Sequence, residues 1–214
     1  MGKTQLMILI VEQCLAKGMR VTIADWKGGI DYSKKIQAHC NFITDYEVLL
    51  AALDAYARKI KTRMQLYTLE MQRHESEDIT CNNIEIYNKL SEIPLEHYVL
   101  LIDEASMIFN VTGRNKEERA IIAEIINRIN IIGRIGRAYG IHLIIGTQRP
   151  DVASIPGSVK ANLDGRICGH TADNPSSMVV LDTANAAKLP AIPGRFILRD
   201  GSGLEQVFQA YMPS

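Results

Sequence analysis

Two apolar segments that end in polar side chains constrain the fold of this sequence more than any other feature. The first, Tyr98 to Ile102, leads into Asp103 and Glu104, and the second, Gly140 to Thr147, leads into Gln148. Both are rich in Leu, Ile and Val without polar alternation, which is typical of strands buried on both faces. Ligands bind at the carboxyl ends of strands in open parallel sheets, so we expect the three polar side chains to meet at one binding edge.

Two carboxylates beside a neutral amide suit one chemical task. Asp103 is placed to hold Mg²⁺, and Glu104 to orient and activate a water molecule. The amide of Gln148 is placed to sense a terminal phosphate. The alternative is that the Asp-Glu pair only ends a strand and begins a turn. The start of the chain decides in favour of the catalytic interpretation.

The chain begins with residues that match the end of a phosphate loop. Gly2, Lys3 and Thr4 occupy the last three positions of the pattern G-x-x-x-x-G-K-[ST]. In that loop the backbone amides cradle phosphate, the lysine reaches the β- and γ-phosphates, and the hydroxyl binds Mg²⁺. The leading half of the loop and its strand would lie before Met1. We therefore expect the sheet to lack its first strand, and residues 1–214 to bind ATP weakly.

Composition limits the class of protein. A length of 214 residues fits one α/β domain with an ample core. The formal net charge is zero, so any contact with DNA must come from local loops and not from an overall basic field. The four cysteines lie far apart in sequence and predict reduced thiols of a cytosolic protein, neither zinc ligands nor disulfides.

Strand-like and helix-like segments alternate along the chain, which predicts one α/β domain over residues 1–214 with a mostly parallel sheet covered on both faces. The predicted strands are Arg20–Asp25, Tyr98–Asp103, Gly140–Thr147, Arg166–Gly169, Arg195–Leu198 and Glu205–Tyr211. The predicted helices are Gln5–Lys17, a long helix that Asp45 caps, Ile84–Leu90, Ala120–Ala138, a short one within Asp151–Asn162, Ser176–Leu181 and Thr183–Leu189. The polar segments Arg73–Asn82 and Asn110–Glu118 are predicted to be loops.

The long helix after Asp45 carries apolar residues at spacings of three and four, a pattern that predicts a packing face. These residues are Leu49, Leu53, Tyr56, Ile60, Met64, Tyr67 and Met71. The basic residues between them, Arg58, Lys59, Lys61 and Arg63, are predicted to form a solvated face.

Several motifs in the second half of the chain resemble those of the FtsK/SpoIIIE family of motor ATPases. The most specific block runs from Gly136 to Pro150 and ends in Gly-Thr-Gln-Arg-Pro. Weaker matches are Lys160-Ala161-Asn162, Val180-Leu181-Asp182 and Pro193-Gly194-Arg195. The resemblance covers nearly the whole chain and implies a RecA-like P-loop NTPase fold.

The resemblance also implies a function and a set of partners. Family members form hexameric rings that hydrolyse ATP with Mg²⁺ and pump double-stranded DNA, or serve type VII protein secretion. By this analogy Lys3 and Thr4 act in the phosphate loop, and the acid pair and Gln148 take the metal, water and sensor roles given above. A membrane-anchored upstream region, with the motor at the cytoplasmic face, is a further implication. Arg137 and Arg166 are the candidates for an arginine that acts on a neighbouring subunit, with a salt bridge at a subunit interface as the alternative.

The sequence leaves the cargo open. The turn Asp25 to Gly29 is nearer to the secretion ATPases, whereas Gln148-Arg149-Pro150 and Lys160-Ala161-Asn162 are nearer to the DNA pumps. The segment Asp173 to Met178 replaces the Asp-Ser-Arg run of the division translocases, so no arginine is assigned there. The leading interpretation is a DNA translocase motor, for example of a mobile element. The alternatives are a type VII ATPase domain that binds a polypeptide, and a catalytically impaired domain that only binds and assembles.

Overall fold

A computed structural model describes residues 2–74, 79–148, 150 and 154–211. Four sequence-based expectations touch residues outside these ranges. They concern Met1, residues 75–78 of a predicted loop, Arg149 of the Gln-Arg-Pro motif and residues 151–153 of the segment after it.

The described residues alternate between strands and helices, as the sequence predicts. The strands are β1 (Arg20–Ala24), β2 (Asn41–Ile43), β3 (Tyr98–Ile102), β4 (Ile141–Ile145), β5 (Arg166–Gly169), β6 (Arg195–Arg199) and β7 (Glu205–Gln209). The helices are α1 (Lys3–Ala16), α2 (Lys34–His39), α3 (Tyr46–Arg73), α4 (Ile84–Leu90), α5 (Ala105–Phe109), α6 (Lys116–Ile135), α7 (Gly157–Lys160), α8 (Asn174–Leu181) and α9 (Asn185–Lys188). A 3-10 turn at Gly136–Tyr139 joins α6 to β4.

Strands β1 to β4 form a parallel sheet in the order β2-β1-β3-β4. Ile102, the last residue of β3, pairs with Ala24 on one side and with Ile145 on the other. Strands β1, β3 and β4 therefore end at the same level, and their carboxyl ends form one edge. The prediction of parallel strands at these three places is confirmed.

Helices cover both faces of this sheet. Side chains of β3 alternate between them: Val99 and Leu101 pack with α1 and α2, whereas Leu100 and Ile102 pack with α3, α5 and α6. All four side chains are 2% exposed or less. Burying an aliphatic side chain of this size contributes roughly 1.5–3 kcal/mol, so β3 is the centre of the core.

Helix α3 confirms the predicted cap but corrects one assignment. The Asp45 carboxylate accepts a hydrogen bond from the Val48 amide at 2.8 Å, as expected of an N-cap. Met64, predicted to pack, is 46% exposed, and Arg63, predicted to be solvated, is only 3% exposed. The Arg63 guanidinium is buried because it donates to the backbone carbonyls of Tyr139 and Glu96.

Helix α6 begins earlier than its apolar pattern predicts. Asn115 caps it by accepting a hydrogen bond from the Glu118 amide, and the Glu118 carboxylate accepts one from the Asn115 amide, which completes a capping box. The predicted loop Asn110–Glu118 is therefore wrong at its end, because residues from Lys116 onward are helical.

The last three strands form a separate antiparallel sheet in the order β5-β6-β7. The mostly parallel arrangement predicted from the alternation of elements thus holds for β1 to β4 and fails here. A groove of about 720 Å³ lies between β4 and β5. Within the described ranges β4 pairs with β3 alone, and its outer edge faces this groove.

Three of the four cysteines lie in the interior of the protein. Cys40, Cys81 and Cys168 are buried, Cys14 is half-buried, and all four are free thiols. No helix in the part of the chain that the structure describes is long and apolar enough to cross a membrane.

Candidate functional site

The carboxyl ends of β3 and β4 bring the predicted site residues together. After β3, the Ala105 amide donates to the Gly146 carbonyl at 2.7 Å, and the Gly146 amide donates to the Ile102 carbonyl at 2.8 Å. These two bonds continue the pairing of the strands past their last residues. Asp103 and Glu104 are consequently held beside Thr147 at the edge of the sheet.

Helix α1 starts at the same edge. It packs against the sheet through Met7, Ile8 and Val11, which directs its first turn towards the end of β3. Gly2, the residue before the helix, has a φ of 113°, a left-handed conformation that favours glycine. Among the described residues no side chain caps this end, so the first amides of the helix are open to a ligand, and the helix dipole favours an anion there.

Gly146 lets the helix and the strands approach closely. A Cβ atom built on it would lie 2.2 Å from Cε of Met7 and 2.8 Å from the backbone oxygen of Asp103. Both distances are too short for a side chain, so a residue without one is required where α1, β3 and β4 converge.

Lys3 contacts both carboxylates of the acid pair. Its Nζ lies 3.0 Å from Oδ1 of Asp103 and 3.4 Å from Oε2 of Glu104, and it also donates to the Asp103 backbone oxygen. The Asp103 side chain is 3% exposed and that of Lys3 is 23% exposed. A cation with this exposure is partly accessible to a ligand in the groove while it neutralises a buried carboxylate.

The Glu104 carboxylate is held by several donors. Its Oε1 accepts hydrogen bonds from the hydroxyls of Ser106 and Thr147, each at 2.8 Å, and its Oε2 accepts one from the Gln148 amide at 2.9 Å. Burial alone would raise the pKa of Glu104, but these hydrogen bonds and the charge of Lys3 together lower it. Glu104 is therefore ionised at neutral pH, as a group that accepts a proton from water must be.

Gln148 and the chain start share one cavity. The groove between β4 and β5 is lined by Gly2, Lys3 and Thr4 from the helix end and by Thr147 and Gln148 from the strand end. Asp103 contacts Lys3 at the wall of the groove. The prediction that Asp103 and Gln148 lie at one edge, beside a shared cavity, is confirmed.

Two hydroxyl groups of this site, those of Ser106 and Thr147, are not among the residues that the sequence pointed to. Thr147 does directly precede Gln148, and Ser106 follows Glu104 by two residues. The signals that could have selected them are the position of Ser106 beside the acid pair and the position of Thr147 inside the Gly-Thr-Gln-Arg-Pro motif. A single Ser or Thr in a sequence does not by itself distinguish a functional site from a surface turn.

Among the described residues, neither candidate arginine forms an ion pair with Asp103 or Glu104. Arg137 is exposed in the 3-10 turn before β4, at the amino end of that strand. Arg166, at the start of β5, forms an ion pair with Asp182, which also binds Lys160 and Arg199. Within this chain Arg166 thus has a structural contact, and a role for either arginine on a neighbouring subunit stays a prediction.

Sequence comparison finds DNA translocases among the relatives of this chain. The DNA translocase FtsK of Chlorobaculum tepidum is 31% identical over 148 residues, which cover 69% of this chain and 16% of the relative. The DNA translocase SftA of Bacillus subtilis is 32% identical over 162 residues, which cover 75% of this chain and 16% of the relative. The chain thus spans about a sixth of the length of these relatives. No protein-family model matches it.

Two solved structures have the same fold. The conjugation coupling protein TcpA of pCW3, solved as a monomer with ATPγS, has a TM-score of 0.84 and 30% identity, covering 98% of this chain and 56% of TcpA. The cytoplasmic domain of the type VII secretion ATPase EccC of Thermomonospora curvata has a TM-score of 0.65 and 22% identity, covering 99% of this chain and 24% of EccC. At that identity the second likeness concerns the fold alone. The chain is similar in sequence to the translocases, and it is similar in structure to TcpA. Together with the fold described above, these likenesses show that the chain belongs to the FtsK/SpoIIIE family of P-loop ATPases.

Proposed function

We propose that the chain is the ATP-hydrolysing motor domain of a DNA translocase. One observation carries this proposal: Lys3, at the open end of α1, contacts both Asp103 and Glu104 at the end of the central strand. A lysine, a helix N-terminus and two carboxylates at one cavity are the parts that phosphoryl transfer to water needs. TcpA, which is similar over almost the whole chain, was solved with a nucleotide analogue.

The amides of α1 and Lys3 are proposed to bind the phosphates. The open amides from Gly2 onward favour a phosphate oxygen, and the helix dipole adds to this attraction. When phosphate enters the groove, the Lys3 ammonium exchanges its contact with Glu104 for one with the β- and γ-phosphates. Lys3 then neutralises the charge that develops on the transferred group.

The residues around Lys3 also fit Mg²⁺. Asp103 supplies a carboxylate and Thr4 a hydroxyl, both oxygen ligands of the type that Mg²⁺ prefers, and few protein ligands are needed because phosphates and waters complete the shell. When bound, the ion would neutralise phosphate charge. The fit rests on the buried Asp103 carboxylate, which the end of the Lys3 side chain contacts at 3.0 Å.

Glu104 is proposed to handle the attacking water. Its carboxylate is ionised, lies next to the phosphate-binding end of α1, and has Oε2 on the side of Lys3. A carboxylate at this place orients a water molecule and accepts its proton. The side chain of Gln148, exposed in the same groove, is proposed to sense the terminal phosphate.

DNA is the cargo we propose, because both relatives compared above are DNA translocases and TcpA is a conjugation coupling protein. The same proposal includes a homo-hexamer in which each subunit receives an arginine from its neighbour. It also includes a location in the cytoplasm and an upstream region anchored in the membrane. A polypeptide cargo is the second candidate, favoured by the sequence of the turn Asp25 to Gly29.

Hydrolysis of ATP with and without duplex DNA tests the proposal. We expect Mg²⁺-dependent hydrolysis at saturating ATP, stimulation by duplex DNA, and loss of both in Lys3→Ala. Lys17→Ala, at the other end of α1, is the matched control and should behave like the parent chain. Hydrolysis that a secretion-signal peptide stimulates in place of DNA would select the second candidate. A chain that binds nucleotide without hydrolysing it would be an assembly domain.

A further inference from the structure

Two hydroxyl groups from different elements hold the same oxygen of Glu104. The Ser106 hydroxyl comes from α5 and the Thr147 hydroxyl from the end of β4, and each lies 2.8 Å from Oε1. A carboxylate oxygen has two lone pairs in the plane of the group, and two hydroxyl donors occupy both. The remaining contact of this oxygen, with the Gln148 amide, is longer, at 3.2 Å.

The other oxygen, Oε2, is less constrained. It accepts from the Gln148 amide at 2.9 Å and contacts Lys3 at 3.4 Å. In the proposed reaction Lys3 moves to the phosphates, and this movement leaves Oε2 with one donor and a free lone pair. The two oxygens therefore have different roles: one fixes the group and the other faces the groove.

The hydroxyls themselves are fixed by backbone contacts. Residue 147 follows Gly146, whose amide donates to the Ile102 carbonyl at 2.8 Å. Ser106 lies in the first turn of α5, where the Met107 amide donates to the Glu104 carbonyl at 3.2 Å. Short side chains on a fixed backbone have few rotamers, so the cost of ordering them is small.

We propose that Ser106 and Thr147 are positioning residues that hold Glu104 with Oε2 directed at the attacking water. This inference rests on the proposed ATPase function and extends it to two residues that touch neither nucleotide nor metal in the mechanism above. The two hydroxyls make the Glu104 carboxylate less basic, but they also prevent the carboxylate from rotating. Misplacement of a reacting group by about 1 Å can cost about 100-fold in rate, so orientation outweighs basicity here.

Four variants separate a hydroxyl effect from a packing effect. Thr147→Val keeps the shape and removes the hydroxyl, whereas Thr147→Ser keeps the hydroxyl and removes a methyl group. Ser106→Ala and Ser106→Thr form the corresponding pair on α5. Each is measured for kcat and KM of ATP hydrolysis and for the binding of ATPγS.

The hydroxyl-free variants should lose about 10- to 100-fold in kcat, the range typical of groups that orient an active-site residue, with KM and ATPγS binding unchanged. The hydroxyl-bearing variants should recover most of the rate. In Thr147→Val combined with Ser106→Ala the losses should be non-additive, because both groups hold one oxygen.

Three results would overturn the inference. They are a normal or raised kcat in both hydroxyl-free variants, a loss of rate in Thr147→Ser equal to that in Thr147→Val, or a loss that appears in ATPγS binding and not in kcat. If one hydroxyl-free variant fails to fold, the other, on a different element, decides. A parent chain without hydrolysis contradicts the proposed function itself, whereas hydrolysis that is insensitive to both hydroxyls contradicts this inference alone.

Discussion

At the scale of residues, the site is organised around one lysine between two carboxylates. Lys3 neutralises Asp103 and reaches Glu104, and neither contact needs a ligand. On nucleotide binding, the Lys3 ammonium would therefore exchange its contact with Glu104 for one with the phosphates, and it is already charged before they bind. The site is prepared by ion pairing before the phosphates arrive, which reduces the reorganisation that binding requires.

Removal of the Glu104 charge separates binding from turnover. In Glu104→Gln we expect ATP hydrolysis to fall by at least about 100-fold, because the amide cannot accept a proton from water. Nucleotide binding should be retained, since Asp103 and Thr4 are the residues proposed for the metal. The measurement is phosphate release alongside ATPγS binding, with the exposed Glu12→Gln on α1 as the control. Hydrolysis at the parent rate would show that another acid activates the water.

Arg63 tests the buried contacts of α3. The change Arg63→Ala leaves the carbonyls of Tyr139 and Glu96, whose contacts with Arg63 are partly buried, without this donor, and each such loss costs up to about 1–3 kcal/mol. We expect the free energy of unfolding in urea to fall by about 2–4 kcal/mol. The exposed Arg58→Ala should change it by less than about 0.5 kcal/mol. Equal, small effects of both changes would contradict the buried role of Arg63.

The residues that sequence analysis found are those whose chemistry follows a pattern. Lys3, Asp103, Glu104 and Gln148 stand at the ends of apolar segments or in a known motif, and strand ends are where parallel sheets bind ligands. Ser106 follows no pattern, because a hydroxyl is as common in a turn as in a site. Thr147 lies inside the Gly-Thr-Gln-Arg-Pro motif, but the resemblance assigned a role to Gln148 and none to Thr147. Arg63 was predicted to be exposed because a charged side chain usually lies in solvent. The carbonyls to which it donates belong to segments that are distant in sequence, so the sequence pattern does not reveal them.

At the scale of elements, the approach of α1 to the ends of β3 and β4 decides the geometry of the site. Gly146 is the residue that permits it, and the nearest atoms to a Cβ placed there belong to Met7 of α1 and to the Asp103 backbone. A side chain at this position would have to displace the helix, the strand end, or both.

Substitution of Gly146 should disturb the fold and the site together. We expect Gly146→Ala to reduce the free energy of unfolding by about 1–3 kcal/mol through overpacking. It should also weaken ATPγS binding, because Lys3 moves with α1. Gly157→Ala, where the added Cβ meets no atom within 4 Å, is the control and should leave both quantities unchanged. A Gly146→Ala chain as stable as the parent would show that Met7 repacks without cost.

Elements with long patterns were predictable, whereas short ones were not. Helix α3 and strands β3 and β4 follow from periodicity and from apolar runs. Strand β2 has three residues and α5 has five, too few for a period to appear. The start of α6 depends on the capping pair Asn115 and Glu118, which lies before the apolar stripe begins.

At the scale of the whole molecule, the chain consists of a parallel sheet of four strands and an antiparallel sheet of three, with a groove between them. The direction of β5 to β7 could not be predicted, because alternation with helices does not distinguish a crossover from a hairpin when the helices are short. The groove is lined by the Lys3 end of α1 and by the outer edge of β4. The proposed nucleotide site and this edge of the sheet therefore open into the same groove.

The neutral charge of the molecule limits how it binds DNA. With 24 basic and 24 acidic residues, any contact depends on a few local side chains. Binding of the isolated chain to duplex DNA should be weak, and log affinity should fall by about 0.9 per log unit of salt for each phosphate neutralised. Fluorescence anisotropy over a salt series gives the slope. Affinity for duplex DNA that does not change with salt would contradict this expectation.

We infer that the first turn of α1 and the acid pair that follows β3, Asp103 and Glu104, form a nucleotide site. Titration with MgATP, followed by amide chemical shifts in NMR, tests it directly. We expect the largest shifts at Gly2 to Gln5, Ala105 and Gln148, and we expect Lys3→Ala to abolish them while Lys17→Ala does not. Shifts that lie elsewhere on the chain, or that persist in Lys3→Ala, would contradict it.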